Sequence, residues 1–169
     1  MAGFIFRKSL LTKDAPTSLN FIIDNSDTIT IGDAVMLNSD GHVVVATTGE
    51  EILGIVIGVV DKNGLPISAD TGTTDTFTVD SDNETVDLVE AKVIVDKYSL
   101  FSTDSSGTLA TTNLMQFFDL TDEDTLDQTS ASDTTGQFQL ISLDPDGDGD
   151  ASKGLFRIAE SMLDPYAQA

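Results

Sequence analysis

Nine consecutive residues, Ile52-Leu53-Gly54-Ile55-Val56-Ile57-Gly58-Val59-Val60, carry no polar side chain. That is far short of the ~20 apolar residues a membrane-spanning helix needs. It is the right length for a strand covered on both faces, and the run is rich in β-branched residues and bounded by Thr47-Thr48-Gly49-Glu50 and Lys62-Asn63-Gly64-Leu65-Pro66. This is the expected core strand. Gly54 and Gly58 stand four apart, so in a regular strand they share a face on which another backbone or ring can approach closely.

The residues before it read as a β-hairpin. Residues 28–37 alternate imperfectly around Gly32-Asp33, Asn38-Ser39-Asp40-Gly41 forms a tight turn with glycine at a position suited to positive φ, and residues 42–46 return. Residues 19–23 precede them as a strand. Beyond the core strand, β character recurs at residues 76–79, at 84–96 as a strand or strand pair, and at 97–102, 115–120, 137–143 and 155–160. Residues 121–135 are almost wholly Thr, Asp, Glu and Ser, and are expected to be an exposed excursion. The fold class is mainly β: a compact β-barrel or β-sandwich with long Thr/Asp-rich loops and an extended N-terminal arm. The expected organisation is an arm over 1–18, a hairpin and core-strand unit over 19–62, a second β unit over 63–160 packed on the first, and a tail over 161–169. Residues 19–160 can equally be one domain.

Charge narrows the partners. Twenty-nine acidic residues against 8 basic ones give a net charge of −21. A field of that sign repels phosphate, and sequence-independent nucleic-acid binding needs Lys and Arg to displace counterions, so no nucleic-acid partner is expected. No membrane partner is expected either. With no cysteine in the chain, disulfides and thiolate metal sites are excluded.

Site chemistry is sparse. The single histidine, His42, opens a strand after a turn, and with no cysteine or second histidine most nucleophile–base pairs are unavailable. His42 is therefore expected to have no catalytic role, and the chain is not expected to be an enzyme. The run Asp144-Pro145-Asp146-Gly147-Asp148-Gly149-Asp150 places aspartates at positions 1, 3 and 5 and glycine at 6, as a calcium-binding loop begins. Position 12 is Leu155 rather than the bidentate glutamate. Two readings stay open: a plain acidic turn, or a structural calcium site on Asp144, Asp146, Asp148 and Asp150 completed by another carboxylate such as Glu160. No other cofactor is expected.

The order of segments carries a resemblance. An I-G-D-A-V-x-L segment, an acidic turn with glycine, a V-V-V-A-T segment and an L-G-I strand follow one another through Gly32, Asp33, Val35, Asp40, Gly41, Val43, Ala46, Thr47, Leu53, Gly54 and Ile55. In this the chain resembles the small capsid decoration, or cement, proteins of tailed double-stranded DNA bacteriophages. The resemblance implies a structural virion protein, made in the bacterial host cytoplasm. It would bind the major capsid protein on the outer surface of the mature head, act as a homotrimer, and stabilise the shell against the pressure of packaged DNA.

The leader fits that role in one of its two readings. Its first 13 residues hold Arg7, Lys8 and Lys13 and no acid, together with Phe4 and Phe6. It is either a strand or short helix packed on its own domain, or a capsid-binding arm that pairs with a neighbouring sheet edge or the shell. Two other classes remain open: a calcium-stabilised acidic bacterial surface or adhesion module, and a phage head-fibre component.

Overall fold

The fold is seen in a computed structural model, which describes residues 3–10, 16–67, 76–143, 146–147 and 149–160. The strands are β1 (Ile5–Ser9), β2 (Ser18–Ile22), β3 (Thr28–Thr30), β4 (Ala34–Leu37), β5 (Val43–Val45) and β6 (Gly54–Val60). They continue with β7 (Thr76–Thr78), β8 (Glu90–Ile94), β9 (Ser99–Asp104), β10 (Phe117–Phe118), β11 (Phe138–Leu143) and β12 (Lys153–Ile158). Two single-turn 3-10 helices, Thr111–Asn113 and Gln128–Ser130, lie in the connections. The chain is mainly β, as its composition of strand formers requires.

Its layers are an inner sheet in the order β2-β8-β6-β4-β5, an outer sheet in the order β1-β9-β12-β11-β10, and a ribbon of β3 and β7. The arrangement is that of a β-sandwich, one of the two expected architectures, with no sheet closed into a barrel among the described residues. Strand β6 lies at the centre of the inner sheet, between β8 and β4. On one side Ala34, Ile55 and Ile94 meet Phe101, Phe138 and Phe156 of the outer sheet. On the other, Val35, Val56, Val59 and Val93 meet Ile29 and Phe77 of the ribbon. Both faces of β6 are therefore covered, which is why it carries no polar side chain.

The two glycines of β6 do not share a face. The register with β8 slips between Val56 and Gly58, leaving Ile57 as an extra residue, 37% exposed. As a result Ile55 and Val59, four apart, enter opposite layers. Only Gly54 serves a close approach: a Cβ there would run into the backbone carbonyl of Ile94, and would stand 2.6 Å from Val93 Cγ1. At Gly58 an added Cβ would meet nothing within 4 Å.

Three other expectations change. Residues 84–89 are not strand. The turn there is organised by Asn83, fully buried, whose amide donates to Ile23 O at 2.7 Å and Val89 O at 3.1 Å while its carbonyl accepts from Val89 N at 2.8 Å. The acidic excursion is anchored, because Leu120 and Leu126 at its start are buried in the outer core and Ala34 N donates to Glu123 O at 2.8 Å. Finally, the leader does not stand off as an arm over its described residues: β1 pairs antiparallel with β9 of the same chain. The physical reason is apolar burial. Phe4 stacks on Phe138 with ring centroids 4.6 Å apart and meets Phe101 edge-on at 6.4 Å. The tail, 161–169, lies outside the described residues.

Candidate functional site

The leader is received by the G-D segment. Gly3 and Gly32 both take positive φ, +102° and +104°, and a Cβ on Gly32 would stand 3.2 Å from Phe4 N. Phe4 N donates to Gly32 O at 2.9 Å, which hands the chain into β1. Phe4 then points inward, and Phe6 packs against Phe101 at 6.1 Å. Of the expected arm residues, these two are spent on the chain's own core.

The described cationic residues of the leader, Arg7 and Lys8, lie on the outside. Arg7 Nε donates to Ser102 Oγ at 2.7 Å, and its Nη2 holds both carboxylate oxygens of Asp146, at 2.8 and 2.9 Å. Lys8 is exposed, as are Ile5 at 38% and Leu10 at 50%. Lys13 lies outside the described residues. Strand β1 is the end strand of the outer sheet, so its second edge faces away from β9.

Two of the four aspartates of the run, Asp146 and Asp150, are described, and each has polar partners. Asp146 faces Arg7. Asp150 accepts from Ser152 Oγ at 2.7 Å and Ser152 N at 2.9 Å, bonds that hold its carboxyl below the usual range, and lies 3.6 Å from Lys153 Nζ. Glu160, the suggested completing ligand, pairs with Lys97 at 3.0 Å. Asp144 and Asp148 lie outside the described residues.

A different grouping forms around the lone histidine. Asp24, His42 and Glu84 bring one ligand atom each to within 4.8 Å of one another, the one such group of three His, Asp or Glu among the described residues. His42 Nδ1 lies 3.0 Å from Glu84 Oε1. Hydrogen bonding with Glu84, chiefly, draws the Asp24 carboxyl below its ordinary range. Nothing in the sequence spacing of 24, 42 and 84 marks this group. The only available sign is a single histidine next to a polar turn.

One further acid is unusual. Asp33 of the G-D segment is 3% exposed and accepts from Thr30 N at 2.7 Å. Burial pushes its carboxyl up to about 7, reinforced by Glu123, Asp124 and Asp27 nearby. The motif's glycine and aspartate are thus both structural, one seating the leader and the other closing the turn into β4.

No protein-family model matches the chain, and no curated protein matches it. Among solved structures, it is similar to the pre-mature gene product 12 of bacteriophage phi29, at 11% identity and a TM-score of 0.43. The superposition covers 97% of this chain and 22% of that one, so the chain spans about a fifth of that protein's length.

Proposed function

We propose that the chain is a structural protein of a tailed bacteriophage, a decoration protein that binds the outer surface of the mature head. The observation that carries this reading is the leader strand: in a chain of net charge −21, the end strand of the outer sheet presents Ile5 and Lys8 to solvent, and Leu10 follows just beyond its end. A strand edge with no strand beside it among the described residues, and with apolar and cationic side chains, suits pairing with an extended segment of a shell subunit. The resemblance of residues 32–55 to decoration proteins supports it, and Gly32 among them seats the leader.

The mechanism is mechanical. Several copies, arranged as a trimer over a local three-fold axis, each grip a different shell subunit, and individually weak contacts combine by avidity. The acidic remainder of the surface keeps decorated particles apart in solution.

The test is co-sedimentation of the purified chain with expanded and unexpanded heads stripped of it. Deleting the leader is unsuitable, because Phe4 belongs to the core. The surface variants Lys8→Glu and Ile5→Lys leave the core untouched. Saturable binding to expanded heads only, weakened roughly 10-fold or more by either variant, is the expected result. No binding to either form of head would overturn the proposal.

A further inference from the structure

We propose that Asp24, His42 and Glu84 form a binding site for one divalent transition-metal ion of the zinc type, held by one imidazole nitrogen and two carboxylate oxygens. The site lies where three separate segments meet: the turn after β2, the start of β5 and the turn before β8. Its donors match the preference of such ions for mixed nitrogen and oxygen ligands, whereas a calcium site takes oxygen alone.

The geometry is close to what such an ion requires. Bonds of ~2.0–2.2 Å arranged tetrahedrally put ligand atoms about 3.3 Å apart. His42 Nδ1 and Glu84 Oε1 already stand at 3.0 Å, and all three ligand atoms lie within 4.8 Å, so small rotations complete the set. Within the cluster, His42 Nδ1 is shut off from solvent and makes no hydrogen bond, its approach to Glu84 being short without hydrogen-bond geometry. A buried ring nitrogen left in that condition costs stability, and coordination of a cation removes the cost. The same cation neutralises the two facing carboxylates.

The backbone around the ligands is fixed in advance. Asp24 N donates to Val43 O at 3.0 Å, which ties the first ligand to the residue after the second. His42 N donates to Asn38 Oδ1 at 2.9 Å, and Glu84 N to Asn25 Oδ1 at 2.9 Å. Asn83, next to Glu84, is the buried amide that holds Ile23 O, next to Asp24. Each ligand is thus tied to the segment that carries another, the outer support that metal ligands depend on. About one or two coordination positions remain for water, as in sites that are not fully closed by protein. The proposal does not depend on the decoration reading.

The experiment is calorimetric titration of the full chain with zinc chloride. About 150 mM salt and excess magnesium suppress diffuse binding to the acidic surface. One zinc per chain is expected, with a melting temperature raised by roughly 5 °C at saturating metal. His42→Gln and Glu84→Gln should each weaken binding about 10-fold or more, while Asp150→Asn leaves it unchanged. Because His42 is the single histidine, the imidazole nitrogen signals of the unaltered chain report on it alone. A zinc-dependent shift at Nδ1 supports the site even if a variant fails to fold. Absence of zinc binding, binding unchanged in a folded His42→Gln chain, or an imidazole unmoved at saturating zinc would each overturn it.

Discussion

The two hydrophobic layers that flank the inner sheet are built on different plans. The layer shared with the β3–β7 ribbon is drawn from Ile23 to Val95 and is aliphatic except for Phe77 among its buried members. The layer shared with the outer sheet reaches from Phe4 to Ile158 and contains five phenylalanines, Phe4, Phe101, Phe118, Phe138 and Phe156. The first draws its buried members only from residues 23–95, although β4 and β5 are its one pair of bonded strands consecutive in sequence among the described residues, and branched aliphatic side chains fill it. The second bridges segments brought from both ends of the chain, and large rings span it. A layer assembled that way depends heavily on each contributor.

The largest expected effect tests that dependence. Phe4→Ala removes a ring stacked on Phe138, in a leader that composition alone would mark as dispensable. It should cost about 3–5 kcal/mol in urea unfolding. A loss below ~1 kcal/mol would show that the aromatic layer stands without its leader, and the contrast between the layers would fail.

A paired substitution in β6 comes next, because this strand belongs to both layers. Gly54→Ala drives a methyl group into the Ile94 backbone and should destabilise by about 3 kcal/mol. Gly58→Ala meets open space, and should stay within ~0.5 kcal/mol. Equal effects would mean that the bulge at Ile57 does not separate the two positions.

The smallest effect lies at the turn that joins the layers. Asp33 titrates at about 7 in the folded chain against an ordinary value near 3.8. Between those values the unfolded chain has released the proton that the folded chain keeps, so raising the pH favours unfolding. The stabilisation is complete below 3.8 and is lost as pH rises to about 7. Asp33→Asn removes this dependence. Its stability relative to the unaltered chain should improve by about 2 kcal/mol from pH 5 to pH 7. A constant difference across that range would show that Asp33 is ionised throughout.

The same division governs what could be read from the sequence. The aliphatic layer was legible in part because its central strand lacks any polar side chain, so Ile52 to Val60 declared a doubly covered strand, although the pairings of β2 with β8 and of β3 with β7 were not. The turn at Asn38 to Gly41 was legible for the same local reason. The aromatic layer was not, since pairing Phe4 with Phe138 depends on topology that no local pattern encodes. Polarity concealed Leu126, a single apolar residue within the acidic stretch that is fully buried. Asn83 was concealed by its neighbours: the alternating Val86, Leu88 and Val89 look like strand, and a buried amide turns them instead. The sites divide in the same way. The aspartate run from Asp144 to Asp150 has a local pattern, whereas Asp24, His42 and Glu84 converge without one.

The pairing of β1 with β9 also sets a timetable. Arg7 and Ser102, joined across these strands, are 95 residues apart in sequence. At about 5–20 residues per second, translation leaves roughly 5–20 s between the emergence of the first strand and that of its partner. The inner sheet, whose strands all lie within residues 18–94, can assemble during that interval. The leader is thus the first described strand to leave the ribosome and among the last to find its place. Until β9 arrives, Phe4 and Phe6 lack the Phe101 ring that both meet, while identical nascent chains lie nearby. Speed of synthesis, and the number of ribosomes on one message, therefore bear on whether that strand closes on its own molecule or on its neighbour's.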